Sequence, residues 1–493
     1  MGRMPMPLRE MGREQIWLLP PTLGELVPDD HPARFVAEFV DALDREEWAE
    51  LGVEINGDHL GAPAYHPRAL LSVWLYGFMN NVRSCRKLEA ACRDQIPLLW
   101  LTGWQYPDHN TLWRFYKAHR QAMRSLFRRT VRTAVAMELV DLAVQAVDGT
   151  KVIANASREK SYAPDQLERL LERVEKAIEE MEAQNEGGDE AVPARLPEQL
   201  ADQKALRERV RQAVEEQASR KRPPSRFAGQ NRINLTDRDA KPMKTREGFM
   251  PAYNAQAMVS PLASGGNTTG MLLTAVDVVD ETYDAFQLTP MMEQAEEVTG
   301  TRTPVTLADA GYFGSKHLEA SRRKGQQVAM PDTTASLGTP YHKDQFHYDE
   351  KSDSYTCPHG ERMPFVGVAK NKGTPMRVYR VASGSVCLNC PAFGACTTEY
   401  RLGRALQIGP YDHALREHRA WMSTPAAQEA YQLRKQLVEP VFGIFKEQLG
   451  ARRFWLRGLA NVKAEWVMLA TAFNLRTLWR AWRARADIPL ASV

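Results

Sequence analysis

The chain has 493 residues, 43% of them hydrophobic and 25% charged. That is the balance of a globular protein and excludes a mostly disordered or fibrous one. At this length roughly two to four folding units are expected. Lys plus Arg number 64 against 61 Asp plus Glu, a net charge of +3, so a polybasic coat is excluded and any nucleic-acid contact must come from local patches.

Residues 1–138 read as a helical N-terminal module. The opening MGRMPMPLREMGREQ has no apolar signal core, and no run of about 18 uncharged apolar residues follows anywhere. A cytoplasmic protein with no membrane partner is therefore expected. Apolar positions recur at helical spacing in Phe35, Val36, Phe39, Val40 and Leu43 after Pro32, and in Leu70, Leu71, Trp74, Leu75 and Phe78 after Pro67. A polar turn, Asn80 to Ser84, precedes a helix over Cys85–Arg93. Pro107 and Asp108 open another, carrying Leu112, Phe115, Tyr116 and His119. Short helices with basic faces fit a helix-turn-helix-like DNA-binding module, or equally a scaffold that touches no DNA.

Within residues 139–160 the stretch ELVDLAVQAVDGTKV reads as a buried strand ending at Asp148-Gly149. An Asp there is either a catalytic carboxylate or a plain turn residue. Residues 161–225 form a helical insertion. Leu167, Leu170, Leu171, Val174, Ile178 and Met181 lie on one stripe. After a break at Asn185–Asp189, a second stripe carries Leu200, Leu206, Val210 and Val214. An antiparallel helical hairpin is expected, ending at Lys221-Arg222-Pro223-Pro224, with a role as dimer contact, DNA arm or solvated spacer.

Residues 226–334 return to an α/β alternation. Strands are expected over Tyr253–Val259 and Met271–Val279, joined by a loop at Gly265-Gly266-Asn267. A helix from about Asp284 to Val298 follows, then a second buried strand ending at Asp309 in TPVTLADAGYF, a helix Ser315–Lys324 and a strand Gln327–Pro331. Residues 335–410 are turn-rich and aromatic, a small β-rich insertion. Residues 411–493 are helical from Leu415 to about Ala486 and locally basic, with thirteen Lys or Arg against seven Asp or Glu.

Four of the six cysteines crowd into the β-rich insertion. Cys387 and Cys390 have the two-residue gap that lets two thiolates reach one Zn²⁺ from a tight turn. Cys357 and Cys396 can complete a structural site, with His359 in reserve. The five-residue gap from Cys390 to Cys396 departs from a paired knuckle, so reduced structural thiols remain the alternative.

Three carboxylates stand out: Asp148 and Asp309 at two strand ends, and Glu439 in the helix YQLRKQLVEPVFGIFKEQLG. Convergent carboxylates suit Mg²⁺, which takes oxygen ligands and keeps substrate phosphate oxygens in its shell. Two such ions (Mg²⁺ or Mn²⁺) can serve phosphodiester chemistry. Asp237, Asp239, Asp277 and Asp280 compete as nearby acids, the first two read as loop residues.

The local motifs resemble those of DDE transposases of bacterial insertion sequences, in the branch with a Tyr-Arg-Glu-Lys signature. Here that signature is Tyr431, Arg434, Glu439 and Lys446, with four residues between Arg434 and Glu439 where three is commoner. DGTKVIANAS, ADAGYF, NLTDRDA, FMPAYNAQ and LTGWQYPDHNTLWRF are also similar to family segments, and the insertion-sequence group numbered eleven-eighty-two is the nearest in pattern. The resemblance spans about residues 15–485. It implies an α/β fold with an RNase H-like core, interrupted by the helical hairpin and the β-rich insertion and preceded by the all-α module. It also implies a catalytic and metal-binding triad of Asp148, Asp309 and Glu439. On that reading Tyr431, Arg434 and Lys446 contact double-stranded DNA, namely the terminal inverted repeats and the target. The active complex is a homodimer, nucleoid-associated when on DNA. A metal-dependent nuclease that does not join, and a silent DNA-binding regulator, are the rivals.

Aromatic and basic residues interleave near the end, in Arg452-Arg453-Phe454-Trp455-Leu456-Arg457 and Trp479-Arg480-Ala481-Trp482-Arg483. Arg452, Arg453 and Arg457 are candidates for DNA contact. Trp466, Leu469, Phe473 and Leu475 read as core.

Overall fold

A computed structural model describes residues 22–55, 65–186, 196–219, 231–263, 270–333, 339–371 and 373–484. The opening segment, the Gly-rich break at 187–189, Lys221–Pro224 and the turn at 265–267 lie outside the described residues. The chain divides into two compact units at His119/Arg120.

The first unit is all helical: α1 Pro32–Asp41, α2 Arg45–Glu50, α3 Pro67–Met79, α4 Cys85–Asp94, α5 Ile96–Leu101 and α6 His109–His119. Its helix starts are written in the sequence. His31 and His66 accept from the first turns of α1 and α3, each followed by Pro at the first helical position, and Asp44 with Glu47 makes a reciprocal capping box on α2. Helix α3 is buried on nearly every side. Trp74 stacks on Tyr116 of α6 at 4.5 Å and donates to the Leu112 carbonyl at 3.0 Å.

The boundary falls earlier than the expected 138. Helix α7 (Arg124–Ala136) belongs to the second unit, because Leu126, Phe127, Val131 and Ala134 bury its apolar stripe against that unit's own elements. Strand β1 (Val144–Ile153) comes next. It does not stop at Asp148-Gly149 as expected: it pairs antiparallel with the long β5 as far as Ile153, and this ladder overrides the local turn signal. The short strands β2 (Ser161–Tyr162) and β3 (Ile233–Asn234) pair at the base of the helical insertion, α8 (Pro164–Glu186) and α9 (Leu196–Ser219). Leu167 packs with Val210, Ala213 and Ile233, so the hairpin exists as expected.

The main sheet adds β4 (Lys241–Thr245), β5 (Gly248–Pro261), β6 (Met271–Val279), β7 (Val305–Leu307) and β8 (Gln327–Ala329), with α10 (Leu288–Thr299) and α11 (Ser315–Arg323) in the connections. Its order is β4-β5-β1-β7-β8, with β6 also on β5. The β1–β5, β4–β5 and β5–β6 pairs are antiparallel, whereas β1–β7 and β7–β8 are parallel. One face is covered by α10 and α11, where Val147 and Met258 meet Leu288, Met291, Met292 and Leu318.

The β-rich insertion is a five-stranded antiparallel sheet of β9 (His347–Asp349), β10 (Ser354–Thr356), β11 (Arg362–Asn371), β12 (Thr374–Arg380) and β13 (Ala405–Ile408), with the short α12 (Gly384–Leu388) between the last two strands. The C-terminal segment is helical as expected and consists of α13 (Asp412–Met422), α14 (Pro425–Glu447) and α15 (Leu459–Ala484). Gly450 and Gly458, both at positive φ, bracket the break before α15. Trp466, Leu469, Phe473 and Leu475 are buried, as expected. Asn474 is buried too, and its amide both donates to and accepts from the Leu273 backbone of β6, satisfying groups that β5 leaves open. This is a mixed α/β architecture consistent with the expected core. No helix among the described residues is long and apolar enough to cross a membrane.

Candidate active site

The β1–β7 register pairs Ala146 with Leu307. Asp148 follows two residues later within β1, and Asp309 stands two residues past the end of β7, close enough for its charge to act on Asp148. Asp148 is half-buried. Burial pushes its carboxyl up to about 6, against the Gly149 N–H, and the neighbouring Asp309 charge adds to the rise while Arg434 opposes it. Asp309 Oδ1 accepts from Gly311 N at 2.8 Å and so caps the 3₁₀ turn that follows, a role that coexists with proximity to Asp148.

Helix α14 lies across β1, β5, β7 and β8 on Leu437, Val438, Val441, Phe442 and Phe445. It delivers two signature residues onto β1. Arg434 Nη1 is 3.1 Å from Asp148 Oδ2, and Lys446 Nζ is 2.6 Å from Thr150 Oγ1. These are not solvated helix-face groups. Lys446 is depressed by burial and by the adjacent Arg246 and Arg452 charges, so a basic cluster stands beside Asp148. Arg246, on the β4–β5 turn, carries no motif in the sequence. Tyr431 is half-buried on α14. Glu439 is exposed on the flank of α14 that also carries Lys446, seven residues or about 10 Å along the axis. Glu439 is not in contact with either Asp.

The competing acids are spoken for. Asp237 is buried and accepts from Tyr253 Oη at 2.7 Å and from Gly458 N at 3.1 Å. Asp239 accepts from Leu459 N at the start of α15. Asp277 pairs with Lys463 at 2.9 Å and Asp280 with Lys241 at 2.6 Å. Arg453 and Arg457 donate to the Ala154 and Asn155 carbonyls beyond β1, and Arg452 pairs with Glu447. All three are exposed but already tie chain segments together.

A carboxylate that the motifs did not flag sits on the opposite pleat. Asp284, in the loop before α10, accepts at Oδ1 from Asn254 Nδ2 (2.7 Å), Gln256 Nε2 (2.8 Å) and Lys151 Nζ (3.4 Å). Tyr312 Oη donates to Gln256 Oε1 and extends the assembly. Lys151 is depressed by burial, against the pull of Asp284, Asp148 and Asp309. The two glycines after the motif Asp residues border this assembly. A Cβ on Gly149 would collide with Gln256 Nε2 and stand 2.6 Å from Asp284 Oδ1. A Cβ on Gly311 would stand 2.9 Å from Asp309 Oδ1 and 3.6 Å from Asp284 Oδ2.

The donors here are hard oxygens, the chemistry of a Mg²⁺ site, and the glycines leave a cradle that side chains would fill. No group of three or more His, Cys, Asp or Glu side chains among the described residues is arranged to hold a metal ion. Mg²⁺ is commonly held by one or two carboxylates plus waters and substrate phosphates, so paired carboxylates fit it. In the β-rich insertion Cys357, Cys387, Cys390 and Cys396 line one cavity of about 30 Å³. Backbone N–H groups of Glu361 and Arg404 approach the Cys357 and Cys387 sulfurs at 3.3 Å. Burial raises the Cys396 thiol, opposed by Arg404.

Residues 356–479 match the family model described as transposase DDE domain, and residues 21–118 match a transposase domain, DUF772. The first match takes in the four clustered cysteines and the whole Tyr-Arg-Glu-Lys signature; Asp148 and Asp309 lie outside both. Both descriptions are of transposases, proteins that act on DNA. Together the two matches support a DDE transposase of an insertion sequence. No curated protein matches it.

Proposed function

We propose that this transposase, of the group numbered eleven-eighty-two, cleaves DNA at the ends of its element and joins the freed 3′-hydroxyl to target DNA. In cleavage a water oxygen bonds to phosphorus as the bond to the 3′-oxygen breaks. In joining the 3′-hydroxyl oxygen bonds to a target phosphorus as that strand's own 3′-oxygen departs. Each step moves one proton off the attacking oxygen and one onto the departing oxygen. The observation that carries this reading is that Asp148 and Asp309 lie on and just past two parallel-paired strands packed against α14, with Arg434 and Lys446 turned onto the first of those strands.

On this reading Asp148, Asp309 and Glu439 are the residues that hold two divalent ions, Mg²⁺ or Mn²⁺. Bound there, such ions supply charge that activates the attacking oxygen and steadies the departing one. Arg434 guards the Asp148 charge and, with Lys446 and Arg246, forms the cationic wall that phosphate meets; guanidinium grips phosphate in a fork and ammonium acts as a mobile charge. Tyr431, Arg452, Arg453 and Arg457 border the DNA path. Two element ends call for a homodimer in the active complex. The four cysteines that line one cavity are the candidate for a structural zinc, with reduced structural thiols as the alternative.

The test uses DNA from the flanks of the gene, searched for matched inverted repeats. Asp148→Asn, Asp309→Asn and Glu439→Gln each abolish strand cleavage and joining while circular dichroism remains that of the parent. Full cleavage by Asp148→Asn refutes the triad. Cleavage without any joining of pre-cut ends turns the assignment to a nuclease.

A further inference from the structure

We infer that Asp284 is a further carboxylate of the active centre, facing the divalent ion beside Asp309, with Asn254, Gln256 and Lys151 as its positioning residues. This rests on the metal-dependent reading above and deepens it.

Three observations carry the inference. The first is the one-sided clamp. Every hydrogen bond to the Asp284 carboxylate among the described residues reaches Oδ1, while Oδ2 lies on the side of Gly311, 3.6 Å from where its Cβ would stand. Asn254 and Gln256 are fully buried, and burying two amides is costly unless each is satisfied. Asn254 Nδ2 and Gln256 Nε2 both donate to Asp284 Oδ1, and Gln256 Nε2 also donates to Asn254 Oδ1, so the two amides brace each other as they hold the carboxylate.

The second is the charge balance. Asp148, Asp284 and Asp309 act together on Lys151 and on Tyr312. Arg434 answers Asp148 and Lys151 answers Asp284. Asp309 has only the Gly311 N–H and no cation at ion-pair distance among the described residues. Asp309 and Asp284 would together hold a divalent ion, which would bring the missing positive charge, and a pair of carboxylates suffices for Mg²⁺ when phosphate and water fill the remaining positions.

The third is the space. Gly149 and Gly311 follow the two motif acids; at Gly149 a side chain would press on the Asp284 assembly, and at Gly311 it would press on Asp309 and meet Asp284 Oδ2 in ordinary contact at 3.6 Å. Neither glycine has a positive φ, so turn geometry does not explain them. Room for the carboxylate does.

The experiment titrates Mn²⁺ alone onto the purified full chain and follows free Mn²⁺ by electron paramagnetic resonance, beside thermal melting. Asp284→Asn is expected to weaken Mn²⁺ binding at least tenfold and to abolish Mg²⁺-supported cleavage, while the melting temperature stays near the parent's. Parental Mn²⁺ affinity in Asp284→Asn, with affinity lost in Asp309→Asn, overturns this inference alone. Parental affinity in both overturns the metal reading beneath it as well. If Asp284→Asn does not fold, Asn254→Ala decides: it keeps the charge, removes one clamp donor, and is expected to weaken Mn²⁺ binding at least threefold, and parental affinity there overturns the inference.

Discussion

Gly149→Ala and Gly443→Ala are the same chemical change and should have opposite signs. Gly443 lies within α14, with nothing within 4 Å of a Cβ placed there. Adding that methyl removes backbone freedom from the unfolded chain and is expected to stabilise by about 0.8–1 kcal/mol. Gly149 lies inside β1, where a Cβ would stand 2.6 Å from Asp284 Oδ1 and 2.9 Å from Asn254 Oδ1. Ordinary contact begins near 3.4 Å, so those atoms must retreat by roughly 0.8 and 0.5 Å. Overpacking of this kind costs about 1–3 kcal/mol. Stretching hydrogen bonds to a charged carboxylate adds about 1.5–3 kcal/mol. The expected destabilisation is therefore about 3–5 kcal/mol, some 4 kcal/mol or more apart from Gly443→Ala. Urea denaturation of the two variants beside the parent, followed by far-ultraviolet circular dichroism, measures the difference. A Gly149→Ala midpoint at or above the parent's refutes the close-packed assembly.

Three other measurements test the rest of the second unit. Arg419, nearly buried, holds Asp332 Oδ2 at 2.6 Å and also pairs with Asp344; Arg419→Ala leaves a buried carboxylate without its guanidinium and is expected to cost about 3–5 kcal/mol by urea denaturation, with a loss below about 1 kcal/mol contradicting it. Glu319 is held down to about 2 by hydrogen bonds from Arg322 and Arg323 and a further one from His413. Because its folded value lies below the ordinary 4.5, its contribution is complete above that pH and is lost as pH falls toward 2. The melting difference between parent and Glu319→Gln should shrink across that window, and a flat difference rejects the assignment. Protein purified without chelator should carry about one zinc equivalent, lost in Cys387→Ser and Cys396→Ser, and less than about a tenth of an equivalent rejects the site.

What was legible in the sequence was what local periodicity and caps control. The helices of the first unit begin at Pro32 and Pro67 because a capping His and a first-turn Pro stand there. The strands over 253–259 and 271–279 were legible because they are buried on both faces and mostly apolar. Long-range pairing was not legible. Nothing local says that β1 runs on through Asp148-Gly149, since that depends on β5 about a hundred residues away. Arg434 and Lys446 looked like solvated helix residues as well as DNA contacts, and it takes the position of α14 over β1 to show their partners, 286 and 296 residues distant. Asp284 carried no signal at all. It read as the start of a helix, while its clamp comes from residues 28, 30 and 133 positions away.

The two Asp-containing motifs can now be read through that missed residue. In DGTK and ADAG the glycine sits one and two positions after the acid, the usual pattern of a turn. Yet Gly149 is an ordinary strand residue with Gln256 as its cross-strand neighbour, and Gly311 sits in a 3₁₀ turn without positive φ. At Gly149 a side chain would enter the space of Gln256, Asn254 and Asp284, and at Gly311 it would crowd Asp309 and approach Asp284 from the other side. Gly149 is thus matched to a carboxylate assembly far away in the chain, and it would lose part of its purpose if Asp284 were shortened. In an Asp284→Ala background Gly149→Ala should therefore cost at least about 1 kcal/mol less than in the parent, a coupling measurable by a double-mutant cycle. Additive costs would show that Gly149 answers to Gln256 and Asn254 alone.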